Sequence, residues 1–263
     1  MTTLVVQQPS YLSWLGYLSL LDQADVFVLL DTVQFERCSF QQRNRIKTAA
    51  GVQWLTVPVV QRFGQLIREV QVLNDGGRWQ RKHYESLRHA YRKAPGWAEA
   101  EADLQELYEV DWQVLYTSGP LRTVNFELLR WLALRCGVRL AKPPGAGADS
   151  KLVWASDLGV TGGRGDLLVN LCRRVGADTY LSTPGSAAYL ASQNPFPAAG
   201  IELQYLHYEH PTYPQLHGPF VSHLSALDLL LNVGSARAGE VLRSGQRPPL
   251  GAEEVHARVQ AVG

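Results

Sequence analysis

The sequence predicts an α/β fold, a single parallel-sheet core whose middle is interrupted by a mostly helical section. Leu4, Val5 and Val6 form one short apolar run and residues 24–31 a second, each too short for an ordinary helix. Residues 11–21 between them read as a short helix, so strand, helix and strand follow within about thirty residues, the signature of a βαβ unit. The same alternation returns after residue 166, beyond a long stretch of helical periodicity.

The first strand runs into Gln7-Gln8-Pro9, where proline punctuates the chain into a loop. Residues 24–31 suit a parallel strand buried on both faces and close on Asp31. Residues 53–60 and 67–73 alternate like partly exposed strands around a polar turn at 61–65 and are expected to extend the sheet at one edge. Helical spacing follows at 79–93, 97–108 and 121–136, broken by Pro95-Gly96 and Gly119-Pro120. Residues 142–148 have the composition of a connection. Beyond them, 166–175 and 186–191 read as helices, 177–182 and 201–206 as strands, and 222–233 and 237–242 as closing helices. The expected organisation is an N-terminal α/β part of the core over 1–75 and a helical section over 76–141. A C-terminal α/β part completes the core over 142–247, and an exposed tail spans 248–263.

A chain of 263 residues with 46% hydrophobic content can bury a proper core, which argues against disorder. Twenty-five Lys and Arg stand against 24 Asp and Glu, a net charge of +1, so the composition favours a small ligand or one protein partner over general nucleic-acid binding. No apolar run approaches the ~20 residues of a membrane span, and no basic-then-apolar leader follows Met1. A cytoplasmic protein with neither membrane nor DNA as partner is expected. Cys38, Cys136 and Cys172 are odd in number, far apart and without CxxC spacing, which argues against a disulfide scaffold or structural zinc. Cys136 and Cys172 read as core residues; Cys38, near Arg37, Arg43 and Arg45, is a nucleophile candidate if those cations lower its pKa.

Several constellations can carry chemistry. Residues 7–17, Gln-Gln-Pro-Ser-Tyr-Leu-Ser-Trp-Leu-Gly-Tyr, follow the first strand, at the end of a parallel sheet where ligands bind, and their amides and aromatics suit a polar, ring-bearing substrate. The plainer reading makes Trp14 and Tyr17 core residues. Asp31, just past the second strand, can act as a general base or orient a ligand hydroxyl, or simply cap a turn. In residues 41–47, Arg43 and Arg45 can clamp a carboxylate, phosphate or diphosphate, unless the run is only a solvated surface. The glycine-rich residues 158–166 precede a helix without the spacing of a P-loop or dinucleotide fingerprint, so a weak anion loop and a lid stand side by side. Residues 183–189 make another strand-to-helix turn on the ligand-binding side. His207, His210, His217 and His223 cluster near Glu209 and Asp228, which leaves open a metal site, a general acid or base, or ordinary surface and core histidines.

These segments resemble the WbqC-like family from Gln7 to about Gly234. The matching stretches are QQPSYLSWLGY at 7–17, ADVFVLLDTVQF at 24–35, QRNRIKT at 42–48, QWLTVPV at 53–59, GADTYLSTPGSAAYL at 176–190, HPTYPQLHGPF at 210–220 and HLSALDLLLNVG at 223–234. Position by position the resemblance marks Gln8, Pro9, Tyr11, Gly16, Gln34, Arg43, Asn44, Arg45, Trp54, Gly185, Tyr189, Gln215 and Ser225 as substrate-binding candidates. Asp31, His210 and Asp228 are the catalytic candidates. Two departures stand out: the family's opening loop often reads His-Gln-Pro where this chain has Gln7, and the proline common before the tryptophan is Ser13.

The family is associated with O-antigen and related sugar clusters, and the resemblance implies a glycine or other aminoacyl transferase acting on an amino sugar. At the level of fold, residues 11–35 are similar in layout to the opening of pantothenate-synthetase-like nucleotidyltransferases, which implies a nucleotidyltransferase-like sheet. The His pair of that group's phosphate-holding turn is absent at Trp14-Leu15-Gly16-Tyr17, and no KMSKS-like loop is present. The expected function is therefore an acyl or aminoacyl transferase that forms an amide on an amino sugar or other small amine. The substrate is a small amine or nucleotide sugar, and the donor an aminoacyl-tRNA, an acyl adenylate or a thioester. An ATP- and magnesium-dependent ligase and a non-catalytic binder of a nucleotide sugar or pathway partner are the alternatives. No resident metal is assigned.

Overall fold

A computed structural model describes residues 1–110, 119–141 and 150–260; the connection expected at 142–148 lies outside them. Strand β1 (Thr3–Gln7) leads through helix α1 (Leu15–Gln23) to β2 (Val26–Leu29). Two hairpins follow, β3 (Arg43–Thr48) with β4 (Gly51–Thr56), and β5 (Val59–Val60) with β6 (Gln71–Val72). The helical section contains α2 (Arg78–Tyr91), α3 (Trp97–Gln105) and α4 (Leu121–Arg135). The chain resumes with β7 (Leu152–Trp154), α5 (Ala155–Leu158), α6 (Arg164–Val175), β8 (Thr179–Ser182), α7 (Ala187–Ser192) and β9 (Glu202–Tyr208). Helices α8 (Ala226–Val233) and α9 (Ser235–Ser244), strand β10 (Gln246–Gly251) and helix α10 (Ala252–Gln260) complete it.

The central sheet runs β10-β9-β8-β1-β2-β7, parallel throughout except for β10, which lies antiparallel to β9. The strand period of two sorts the apolar runs onto both faces. Val5, Phe27 and Leu29 enter a core shared with α1, α2, α4 and α8, while Leu4, Val6, Val26 and Val28 enter a second core shared with α6, α7 and Val255 of α10. The wholly apolar β2 is buried at every position because helices cover both sides of the sheet. From β1 the chain proceeds to β2 on one side and, later, to β8 on the other. That makes the carboxyl ends of β1 and β8 the point where strand order reverses, and crevices at such points bind ligands in open α/β sheets.

Three expectations change. Residues 53–60 and 67–73 do not extend the central sheet: β4 pairs with β3 and β6 with β5 in separate two-stranded ribbons. Strand β3 escaped notice because RNRIKT has one aliphatic residue, yet Asn44, Ile46 and Lys47 are all buried. The segment from Pro248 is no exposed tail. Pro248 and Pro249 sit where the β9–β10 register slips, a position on an edge strand that tolerates their missing N–H groups, and His256 of α10 hydrogen-bonds the buried Tyr205 hydroxyl at 2.7 Å. The helix expected from residue 222 starts only at Ala226, because His223 has φ 58° and Ser225 caps α8 by accepting from the Leu227 N–H at 3.2 Å.

Candidate functional site

A cavity of about 600 Å3 opens where β1 ends. Gln7, Gln8, Pro9 and Ser10 form its floor, Trp14 and Tyr17 come from the start of α1, Glu36, Ser39, Phe40 and Gln41 from the β2–β3 loop, Arg45 from β3, and His223 from the loop before α8. Amides, aromatic rings and opposite charges thus converge on a space of the size that small-molecule sites occupy.

The walls are fixed by hydrogen bonds that the sequence places far apart. The Gln41 side-chain amide donates to the Gln8 side chain at 2.8 Å and its oxygen accepts from the Glu36 N–H at 3.1 Å, joining the β2–β3 loop to the β1 loop. The Tyr17 hydroxyl donates to the Gln8 carbonyl at 3.1 Å, and burial pushes its pKa well above the ordinary 10.0, so it remains a neutral donor. Buried Asn44 donates to the carbonyls of Tyr11 and Leu12, at 3.1 and 2.8 Å, and holds Leu12 in a left-handed conformation with φ 45°. Trp14 and Ser225 form an isolated antiparallel bridge, and the Ser225 N–H donates to the Arg45 carbonyl at 3.0 Å. Leu12 and His223, both backbone exceptions, flank this junction, the kind of place where a fold holds uncommon conformations for a site.

The aromatic side is built on Trp14. Its indole stacks on the His223 ring with centroids 5.3 Å apart and planes 26° apart, and meets Tyr208 edge-on. Gly16 lies directly beneath the indole: a Cβ there would stand 2.2 Å from the ring carbon Cη2. The cationic side is built on β3. Arg43, Arg45 and Trp54 share one face of the β3–β4 hairpin, with the two guanidinium carbons 4.3 and 5.7 Å from the Trp54 ring centre. Trp54 in turn meets the half-exposed Phe40 at 5.9 Å. Arg45 donates one bond, from Nη2 to the His223 carbonyl at 2.8 Å. Among the described residues neither arginine forms an ion pair, and the Nε of each is buried without a partner. Arg45 lines the cavity with no acidic partner among the described residues, which leaves the rest of its guanidinium for a ligand that accepts.

Of the residues singled out in the sequence, Gln8, Pro9 and Arg45 line the cavity; Gly16, Arg43 and Trp54 support its walls. Tyr11, Asn44 and Ser225 act through the frame: the buried Tyr11 hydroxyl bonds His83 and Tyr108 at 2.7 Å each. Gln34, Gly185 and Tyr189 lie outside the cavity lining.

The three catalytic candidates are all engaged elsewhere. The fully buried Asp31 carboxylate pairs with Arg122 and accepts from the Ser156 N–H and hydroxyl at 3.0 and 2.8 Å, while Arg122 also stacks over Trp154. Asp31 is a brace between β2, α4 and α5 rather than a free base. Asp228 is also fully buried and accepts from Tyr91, Tyr213 and Gln215 at 2.7, 2.9 and 2.7 Å. Burial raises its pKa, with those donors opposing. Gln215 and the carbonyls of Gly218 and Pro219 accept from Lys47, so this network fastens residues 215–219 to β3. His210 has both ring nitrogens occupied, Nδ1 with the Pro211 carbonyl at 2.9 Å and Nε2 accepting from the His223 N–H at 3.1 Å, and burial lowers its pKa. The imidazole that reaches the cavity is that of His223.

Gln7, Ser10, Trp14, Tyr17, Glu36, Ser39, Phe40, Gln41 and His223 complete the lining, and none of them is among the substrate-binding or catalytic candidates. The histidine cluster signalled His223 but could not separate it from His210, because the separation depends on the left-handed turn at His223. Glu36 and Ser39 carry no recognisable motif. Cys38 is exposed and does not line the cavity, and neither do residues 158–166. Among the described residues no group of three His, Cys, Asp or Glu side chains is placed to hold a metal, and no helix is long and apolar enough to cross a membrane.

No solved structure matches the chain. A Mycobacterium tuberculosis (strain ATCC 25618 / H37Rv) protein named uncharacterized protein Rv1507c is 32% identical over 246 residues, covering 92% of this chain and 98% of the relative. The model of the WbqC-like protein family matches residues 8–239, a span that takes in the cavity from Gln8 to His223 together with the β3–β4 hairpin and the Asp228 network. The chain belongs to the WbqC-like protein family.

Proposed function

We propose that this protein is a cytoplasmic acyl or aminoacyl transferase that forms an amide on an amino sugar or other small amine bound in the cavity after β1. The observation that carries the reading is Arg45, a guanidinium with no acidic partner among the described residues, set among side-chain amides and aromatic rings at the reversal point of the sheet. Such a guanidinium suits the phosphate or carboxylate of a sugar nucleotide or acyl donor, and the Trp14–His223 stack suits a ring. Glu36 offers the opposite charge that an ammonium group needs.

An ammonium is not nucleophilic, so the acceptor must lose a proton before it attacks. His223 takes the place first given to Asp31 or His210 as the base, since it alone of the three lines the cavity. The amine nitrogen bonds to the donor's acyl carbon, that carbon's bond to its oxygen or sulfur leaving group breaks, and the second amine proton passes to the departing group. Amide donors from Gln8 and Gln41 would steady the oxyanion that develops in between.

The test is amide formation from amino-sugar nucleotides with aminoacyl or acyl-thioester donors, followed by mass spectrometry. Product is expected with the wild type, with turnover reduced at least ~100-fold in His223→Ala, the lower range for loss of a general base, and KM raised in Arg45→Ala. Pyrophosphate release requiring ATP and magnesium would replace the transferase with a ligase. Tight binding without turnover, indifferent to His223, would leave a binding protein.

A further inference from the structure

The net charge of +1 conceals a strong asymmetry. Residues 37–93 hold twelve Lys and Arg against three Asp and Glu, a net +9, and the remainder of the chain carries −8. The excess is concentrated on α2 and its last turn. Arg78, Arg81, Lys82, Arg88, Arg92 and Lys93 are all exposed, while Trp79, His83, Tyr84, Leu87 and Tyr91 fix the opposite face in the core. Like charges three and four apart on a helix repel, and Glu85 is the sole acidic residue of α2, paired with Arg88 at 3.4 Å. The helix borders a groove of about 820 Å3 against the β3–β4 turn, where Lys82, His89, Arg92, Lys93 and His217 face Glu85.

We propose that this groove and the exposed stripe of α2 dock the phosphate backbone of an RNA. Helix α2, from Arg78 to Tyr91, runs about 20 Å at ~1.5 Å per residue, with Arg92 and Lys93 just past its end, long enough to follow several successive phosphates of a nucleic-acid backbone. Six exposed cations, of which only Arg88 is paired with an acidic residue among the described residues, offer that backbone a positive stripe. A lipid surface fits less well: none of the exposed large hydrophobic side chains belongs to α2 or lines the groove, and Phe40 and Trp54 group instead beside the cavity. Choosing RNA over DNA rests on the aminoacyl-transfer reading, in which an RNA carries the activated aminoacyl group.

The test is fluorescence anisotropy with a labelled RNA hairpin bearing a single-stranded 3′ end, titrated with the full chain between about 50 and 200 mM salt. Binding is expected to weaken steeply with salt. The quadruple variant Arg81→Ala, Lys82→Ala, Arg92→Ala, Lys93→Ala should bind at least tenfold more weakly, with a salt slope shallower by about one for each phosphate contact removed. Because wild-type salt dependence is read separately, a variant that fails to fold leaves a decisive measurement. Absence of salt-dependent RNA binding, an unaffected quadruple variant with an unchanged melting temperature, equal affinity for a DNA duplex, or preferred capture by phosphatidylserine vesicles would each overturn the proposal. RNA binding without aminoacyl transfer refutes the transferase reading while leaving the surface intact, whereas transfer from a thioester or adenylate without RNA binding does the reverse.

Discussion

Gly16 shows how one residue without a side chain fixes a functional wall. Ala is the better helix former by roughly 0.5–1 kcal/mol, so helix propensity alone favours Gly16→Ala within α1. Sterics reverse that preference, because the new methyl would collide with the Trp14 ring, which is itself stacked on His223. The variant should lose ~1–3 kcal/mol through overpacking and shift the Trp14 fluorescence, with at least tenfold weaker binding in the cavity. Denaturant titration and a ligand isotherm measure both; an unchanged isotherm would mean that the indole is not part of the site. The residue scale was only partly legible in sequence. Gln8, Pro9 and Arg45 stand in recognisable stretches and do line the cavity, whereas the aspartates that looked catalytic are buried acceptors. An acidic residue after a strand reads the same whether it faces substrate or, like Asp31, an arginine and a serine supplied about 90 and 125 residues later.

At the scale of elements, β3 is the piece that assembles the site, and polar bonds rather than apolar surface hold it. Asn44 fastens the loop before α1, Lys47 fastens residues 215–219, and Arg45 accepts through its carbonyl from Ser225. Periodicity cannot find such a strand, which is why the first strand expected in this region was 53–60, with no partner at 43–48. The strands β1 and β2 were legible because burial on both faces leaves a continuous hydrophobic run at Leu4-Val5-Val6 and Val26-Phe27-Val28-Leu29. Asp228 is the hub linking α8, α2 and the 213–219 segment. Asp228→Ala strands the buried hydroxyls of Tyr91 and Tyr213 and takes one acceptor from Gln215; it should cost about 3–5 kcal/mol at neutral pH, near the penalty for removing one partner of a buried charged network. A loss under 0.5 kcal/mol in urea titration would contradict this hub role. Burial raises the native pKa, so the contribution of this ionisation to stability is greatest below the ordinary 3.8 and declines as pH rises through the native value. Asp228→Asn should lose that descending limb of the stability curve.

The whole molecule divides its work between two faces of the sheet and two charged regions. One core supports α1 and the cavity, the other supports α6, α7 and the C-terminal helix, and the basic excess of residues 37–93 lies in the hairpins and α2. Fold class was readable from strand length and spacing, and the family from ordered blocks along the chain. The closing strand and helix were not, because Pro248-Pro249 resembles a terminus when the β9 edge it pairs with is unseen. The central claim is that the cavity around Arg45 binds an anionic, ring-bearing small molecule, and isothermal calorimetry with a set of amino-sugar nucleotides tests it most directly. Micromolar binding to the wild type, about −8 kcal/mol, reduced at least tenfold by either Arg45→Ala or Trp14→Ala with folding intact, is the predicted result. Binding that survives both substitutions, or no binding by any member of the set, would contradict the account.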